Sequence, residues 1–320
     1  MPYIKSTKDN LQIGVTGATG KVGRGIVRCL LDHGLSVLSM VRKNREGLNG
    51  NTQHALQELE DAGSALFQAD FEDYQSLKAF SEQCDVLIHA AYWQVSELEQ
   101  PEKWIHNNLM GSLNLLDLHR SQGGKQFIFI STCSVYNTAL IDTPRVGPYS
   151  LIHPRHVYGS YKAAVENFVR AYKYDHGMNY NTSLRPGAPL GLFGFRSYDK
   201  KGMWTDEMEH VLKGSGASIH LPKSFVCIDG YDIGAACVEL IEKRIREEQT
   251  EDVYLQDNGS IDIDVVKNVF KEYSELSEMN FECTDSEEIY CGNISGQTNI
   301  FSSNSEKTLH RHIKEWLGIE

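Results

Sequence analysis

The sequence predicts an α/β fold built on a doubly wound parallel sheet. Three observations predict it. Apolar runs alternate strictly with amphipathic stretches from Leu11 to about Arg185, the runs are apolar throughout rather than at every second residue, and glycines join the first run to the first amphipathic stretch. LQIGVTG is the first strand, and KVGRGIVRCLLDHG, with apolar positions at helical spacing and a terminal glycine, is the first helix. SVLSMVR and ALFQAD follow as strands and DYQSLKAFSEQC as a helix. DVLIHAA, FIFIST and YNTSLRP read as further strands, separated by the helical WIHNNLMGSLNLLDLHRSQGG and GSYKAAVENFVRAYKYDHG. After Pro186 the pattern loosens. GAPLGLFGFRSYDKKG is a glycine-rich loop, and VYLQD is one more strand. YDIGAACVELIEKRIREE, IDIDVVKNVFKEYSEL and SEKTLHRHIKEWLGIE are helical.

Composition narrows the function classes. With 320 residues, 41% of them hydrophobic, the chain can bury a full core as one large domain or two coupled ones. A formal net charge of -12 argues against nucleic acid or an anionic membrane surface as partner, because those need clustered Lys and Arg. No segment approaches the roughly 18 uninterrupted apolar residues of a membrane helix, and MPYIKSTKDNLQ carries no apolar leader, so a cytoplasmic protein is expected. Seven scattered cysteines without a C-x-x-C pair point to reduced thiols and to no metal site.

The glycine loop IGVTGATGKVGRGIV places Gly17, Gly20 and Gly23 between the first strand and the first helix. That spacing suits a tight turn, a backbone approaching a pyrophosphate, and helix N-terminal amides facing the anion. Thr19, Lys21 and Val22 lie in the same loop and are expected to contact the dinucleotide. The architecture is thus a Rossmann-type domain over residues 1–186, with a smaller, mostly α substrate-binding region over 187–320. Parts of the chain near 225–258 are expected to return to the first domain.

An NAD site usually ends its second strand on a carboxylate that binds the ribose 2′-hydroxyl. Here that position reads MVRKNR, with Arg42 and Lys43, and no Asp or Glu lies between His33 and Arg45. A 2′-phosphate would find charge partners there, so NADP is expected ahead of NAD. Asp70 and Phe71 follow the third strand beside the expected adenine position. Asp70 is read either as an acceptor for the adenine amino group or as the cap of the next helix.

HVYGSYKAAVE places Tyr158 and Lys162 one helical turn apart. YQSLK, Tyr74 to Lys78, has the same spacing, and there it reads as helix-face packing. Tyr161 has Val165 at i+4 and so lacks the lysine.

Taken together, TGATGKVG, D70-F-E-D, HAA at 89–91, NNLMGSLNLL at 107–116, FISTCSVY at 129–136, YGSYK at 158–162 and LRPG at 184–187 resemble the extended short-chain dehydrogenase/reductases. That family includes the NAD(P)-dependent epimerases and dehydratases of sugar nucleotides, and the resemblance covers nearly the whole chain. It implies that Ala90, Ala91 and Pro186 line the cofactor and that Asn108 supports it from the following helix, or else satisfies backbone there. It also implies a catalytic hydroxyl at Thr132, with Ser131 and Ser134 as neighbours that could take the role. Tyr158 would then exchange a proton with the substrate oxygen during hydride transfer, helped by Lys162 and Thr132.

The dehydratases carry an Asp-Glu pair where this chain has Cys133 and Ser134, which disfavours dehydration. Cys133 is expected to be a small packed residue. Tyr92, Thr132, Ser134 and Ala188 are the expected substrate contacts, with Trp93, Phe193, Phe195, Trp204 and Lys223 as further pocket candidates. Ala188 stands where sugar-nucleotide members have Asn. The expected function is therefore a nucleotide-sugar reductase or epimerase. The alternatives are a reductase of another carbonyl compound and a non-catalytic NADP-sensing protein. Family members pair through the helices found here at 104–122 and 158–174, so a homodimer is expected.

Overall fold

Seven strands form one parallel sheet in the order β3-β2-β1-β4-β5-β6-β9: β1 (Gln12–Thr16), β2 (Ser36–Val41), β3 (Ala65–Gln68), β4 (Val86–His89), β5 (Gln126–Ile130), β6 (Thr182–Pro186) and β9 (Val253–Gln256). The computed structural model describes residues 11–42, 50–93, 99–124, 126–136, 146–187, 219–222, 224–226, 228–256, 258, 260–273, 281–284 and 304–317. Each of the seven apolar runs read as a strand is a member of this sheet.

The reason the runs are continuously apolar is visible in the core. Ile88, Ile128 and Ile130 face one side, packing with Ile13, Val15 and the helices α1 (Lys21–Asp32) and α7 (Gly230–Ile245). Leu87, Phe127 and Phe129 face the other, with α3 (Tyr74–Ser81), α5 (Gly111–Ser121) and α6 (Val157–Asp175). Successive side chains point to opposite faces and both faces are covered, so no polar alternation survives. The strand order reverses between β1 and β4, which opens a crevice at the carboxyl ends of those strands.

Local chemistry sets the helix ends. Asp73, not Asp70, caps α3, its carboxylate accepting the N–H groups of Gln75 and Ser76. Asp70 instead accepts the Glu72 N–H at 3.0 Å, an Asx-type turn that ends before the helix, so the reading of Asp70 as the cap is corrected. Asp229 and Asp232 form a capping box at the start of α7. This helix packs so closely on α1 that a Cβ on Gly25 would lie 2.4 Å from the Gly230 carbonyl carbon.

Several elements were not evident from the sequence. α2 (Gly50–Asp61) lies beyond RKNR, and a five-residue π-helix (His106–Met110) separates α4 (Pro101–Ile105) from α5. Outside the main sheet, β7 (Ile219–Pro222) pairs parallel with β11 (Phe281–Thr284), and β8 (Ser224–Val226) pairs antiparallel with β10 (Ser260–Asp262). The remaining helices are α8 (Ile263–Tyr273) and α9 (Ser305–Leu317). Arg311 of α9 grips the carboxylates of Asp229 and Asp232 at 2.6 and 2.8 Å, which fastens this helix to the amino end of α7.

Candidate active site

The crevice is built from the carboxyl ends of β1, β4, β5 and β6. Gly17, at φ +71°, makes the turn after β1, and a Cβ there would lie 2.7 Å from the backbone of Ala91. Gly23 is as tightly placed, since its Cβ would lie 2.1 Å from the Gly17 carbonyl oxygen. Gly20 is the N-cap of α1 and has no side chain to cap it. A glycine cradle beside the amino end of a helix fits a dinucleotide pyrophosphate. Thr19 lies in the same turn, Lys21 and Val22 open α1, and Ala90 and Ala91 stand against Gly17. When bound, such a cofactor supplies the hydride acceptor or donor.

Thr132 is buried, and its hydroxyl oxygen accepts the Ser134 N–H at 3.1 Å. The same hydroxyl faces the phenol of Tyr158 and favours its ionised form. Tyr158 and Lys162 lie in the first two turns of α6, whose N-cap His156 accepts the Gly159 N–H through Nδ1 at 3.1 Å. Gly159 is needed there, because a Cβ would lie 2.6 Å from the Ser134 carbonyl oxygen. The close approach of helix and loop brings Thr132 to Tyr158.

Lys162 is only 3% exposed, and its ammonium donates to the Ile130 carbonyl at 2.7 Å. Its Nζ stands 4.7 Å above the Phe129 ring and 5.8 Å from the Tyr158 ring centroid. Burial pulls its pKa from 10.5 down to about 7, against the opposing pull of Glu166 one turn on. Glu166 is itself held by Arg185, whose Nε donates to it at 2.8 Å and whose NH2 does so at 2.5 Å. Arg185 also reaches the Tyr136 hydroxyl and the Pro148 carbonyl. Half-buried Tyr158 is pushed above the ordinary tyrosine range by desolvation, and the Thr132 hydroxyl opposes that rise.

Tyr92 meets Tyr158 directly, with its ring edge-on at 4.9 Å between centroids. The Asn108 side chain turns to the backbone of Trp93, accepting its N–H at 2.8 Å and donating to its carbonyl at 3.2 Å. Both ends of the amide are thus engaged on the stretch that carries Tyr92. Cys133 is buried with Val135, Tyr136 and Ala163. Pro186 ends β6 at the same edge of the sheet. Phe71 packs on His89 at 5.6 Å, and Asp70 lies beside it. Arg42 is exposed at the end of β2. Lys43, Ala188, Phe193, Phe195, Trp204 and Lys223 lie outside the described residues.

The sequence reading missed Glu166, Arg185 and the buried polar residues behind Ala91. Only the unusual charge in LRPG hinted at Arg185. Among the described residues no helix is long and apolar enough to cross a membrane, and no cluster of three or more His, Cys, Asp or Glu side chains could hold a metal ion.

Residues 13–224 match the model of the NAD dependent epimerase/dehydratase family. A UDP-glucose 4-epimerase of Erwinia amylovora is 28% identical over 188 residues, covering 57% of this chain and 54% of that protein. Cinnamoyl-CoA reductase 1 of Petunia hybrida is 31% identical over 120 residues, covering 37% of this chain and 34% of that protein. The chain spans about half the length of the first curated relatives it matches. A solved UDP-N-acetylglucosamine 4-epimerase from Methanobrevibacter ruminantium superposes with a TM-score of 0.75, over 98% of this chain and 99% of that one, at 19% identity. At that identity the likeness shows a shared fold.

Proposed function

Since the chain belongs to the NAD dependent epimerase/dehydratase family, we propose that it oxidises or reduces a hydroxyl or keto group of a nucleotide sugar, as a reductase or a 4-epimerase. The observation that carries this reading is the convergence on Tyr158 of the Thr132 hydroxyl and, through the α6 face, of Lys162. Tyr158 is the general acid/base, Thr132 holds the same substrate oxygen, and Lys162 stabilises the phenolate. Ala90, Ala91, Gly17 and the amino end of α1 hold the dinucleotide. Tyr92 and Ser134 line the substrate side, and dehydration is disfavoured because Cys133 is packed and Ser134 is no carboxylate. The retained trio also argues against a purely sensing role.

Arg42 and the absence of a nearby carboxylate favour NADP over NAD. We expect NADPH to bind more tightly than NADH in a fluorescence titration; tighter NADH binding sinks the argument from Arg42. Exposed Ile105, Met110 and Phe168 on α4, the π-helix and α6 support pairing of two copies through these helices. Sedimentation showing only 36.1 kDa monomers would dispose of the dimer. The free thiols of Cys29, Cys84, Cys133 and Cys237 suit the cytoplasm.

A second reading, reduction of a non-nucleotide carbonyl compound, is favoured by Ala188 in place of Asn and by the likeness to a cinnamoyl-CoA reductase. Turnover with a UDP-sugar panel and none with aryl thioesters or ketones supports the first reading; the reverse pattern replaces it with the second.

A further inference from the structure

Behind Ala91 lies a hydrogen-bonded path that begins and ends on the same pocket stretch. His89 closes β4 with its ring buried between Phe71, Phe127 and Phe129, whose centroids stand 5.6, 5.9 and 5.7 Å away. Its Nδ1 is 2.7 Å from Thr16 Oγ1, and its Nε2 is 2.7 Å from Ser112 Oγ.

The neighbours fix the direction of each bond. Ser112 gives its one hydroxyl proton to the Asn108 carbonyl at 2.5 Å, so it must accept from His89, and the ring proton sits on Nε2. Nδ1 is then the acceptor, and Thr16 donates to it while accepting the Ala91 N–H at 3.3 Å. At the far end the Asn108 amide holds both the N–H and the carbonyl of Trp93. Ala91 and Trp93 are therefore tied to one chain of bonds, with Tyr92 between them and its ring on Tyr158.

We propose that His89 is a positioning residue: as the Nε2–H tautomer it joins Thr16 to Ser112 and holds the Ala91–Trp93 stretch in register with the cofactor cradle and with Tyr158. This role rests on the cofactor site proposed above. The titratable groups around the path are Tyr161 on α6, whose hydroxyl lies 3.3 Å from Ser112 Oγ, and Lys162. Burial first, then the charge of Lys162, holds the imidazole down to about 3, so the relay keeps one protonation state across neutral pH. A protonated ring would carry a proton on Nδ1 as well, so the Thr16 hydroxyl could no longer donate there and would have to turn its own proton elsewhere.

His119 is the internal control. It is equally buried and depressed to about 4, but its Nε2 donates to the Gln126 carbonyl at the amino end of β5, away from the cradle. The experiment has two arms. Nitrogen-15 NMR of the cofactor-free parent should show His89 as the Nε2–H tautomer at pH 6. His89→Phe should weaken NADPH and NADH binding about tenfold or more, whereas His119→Phe should stay within about twofold even where both lower Tm. An imidazolium or Nδ1–H tautomer at pH 6, or parental affinity in His89→Phe, overturns the proposal. If the parent binds neither cofactor, the cofactor site and this role fall together; normal parental binding with an unaffected variant removes the role alone.

Discussion

Tyr158 and Lys162 share their spacing with Tyr74 and Lys78, yet the two pairs live in opposite environments. Tyr74 is 49% exposed at the start of α3, and Lys78 meets Glu82 at 4.0 Å in water. Lys162 is enclosed by Phe129, Tyr158 and Tyr161, with a backbone carbonyl beneath it and Glu166 one turn away. A surface ion pair of that kind contributes about 0–1 kcal/mol. A buried amine is costly and chemically tuned. The difference teaches that four-residue spacing supplies only a shared helix face, and that the strand end in front of the helix decides what the face does.

The comparison can be broken at several points. Tyr158→Phe should reduce turnover about 10²- to 10⁴-fold with the fold intact, while Tyr74→Phe should leave it within about twofold. Equal losses would erase the distinction. Removing the charge behind the pair should be the largest stability effect. Glu166→Gln leaves the fully buried Arg185 without its carboxylate and should cost about 3–5 kcal/mol in denaturant melts, against about 0.5 kcal/mol or less for Glu82→Gln.

Lys162→Met should abolish turnover and yet stabilise the cofactor-free protein. The sign follows from linkage. The folded pKa of about 7 lies below the ordinary 10.5, so between these values the unfolded chain holds more protons and stability rises with pH. The cost of the buried amine is complete below about pH 7 and fades as pH climbs toward 10.5. The gain in Tm from Lys162→Met should therefore be larger at pH 6.5 than at pH 9.5. For Lys78→Met we expect only a small change in Tm. The smallest effect separates Thr132→Ser, which keeps a hydroxyl beside Tyr158, from Thr132→Val, which loses it and should lower turnover by about tenfold or more.

Much of this arrangement was legible in the chain because it is local. Strands covered on both faces write themselves as continuous apolar runs, so SVLSMV and QFIFI were readable without any partner. The glycine cradle and the Tyr158–Lys162 turn are likewise contained within a few residues. The helix Gly50–Asp61 was hidden because its apolar positions are weak, with Ala55, Leu56 and Leu59 carrying its buried face. Arg185 and Glu166 are 19 residues apart, and His89 reaches Thr16 across 73, so no periodicity in the sequence announces either contact. Of the two readings of Asp70, the cap fails because a second aspartate three residues on does that work. Asn108, in the π-helix, holds the backbone of Trp93 fifteen residues earlier, a contact that only the packed fold defines.

The central claim is that Tyr158 moves the proton that hydride transfer requires. It is tested most directly by mixing oxidised cofactor with a UDP-sugar panel and following reduced-cofactor fluorescence in a single turnover, for the parent and Tyr158→Phe. The account predicts a signal from the parent with at least one sugar and, at matched cofactor occupancy, a rate about 10²-fold or more slower in the variant. Equal rates in the two proteins would contradict it.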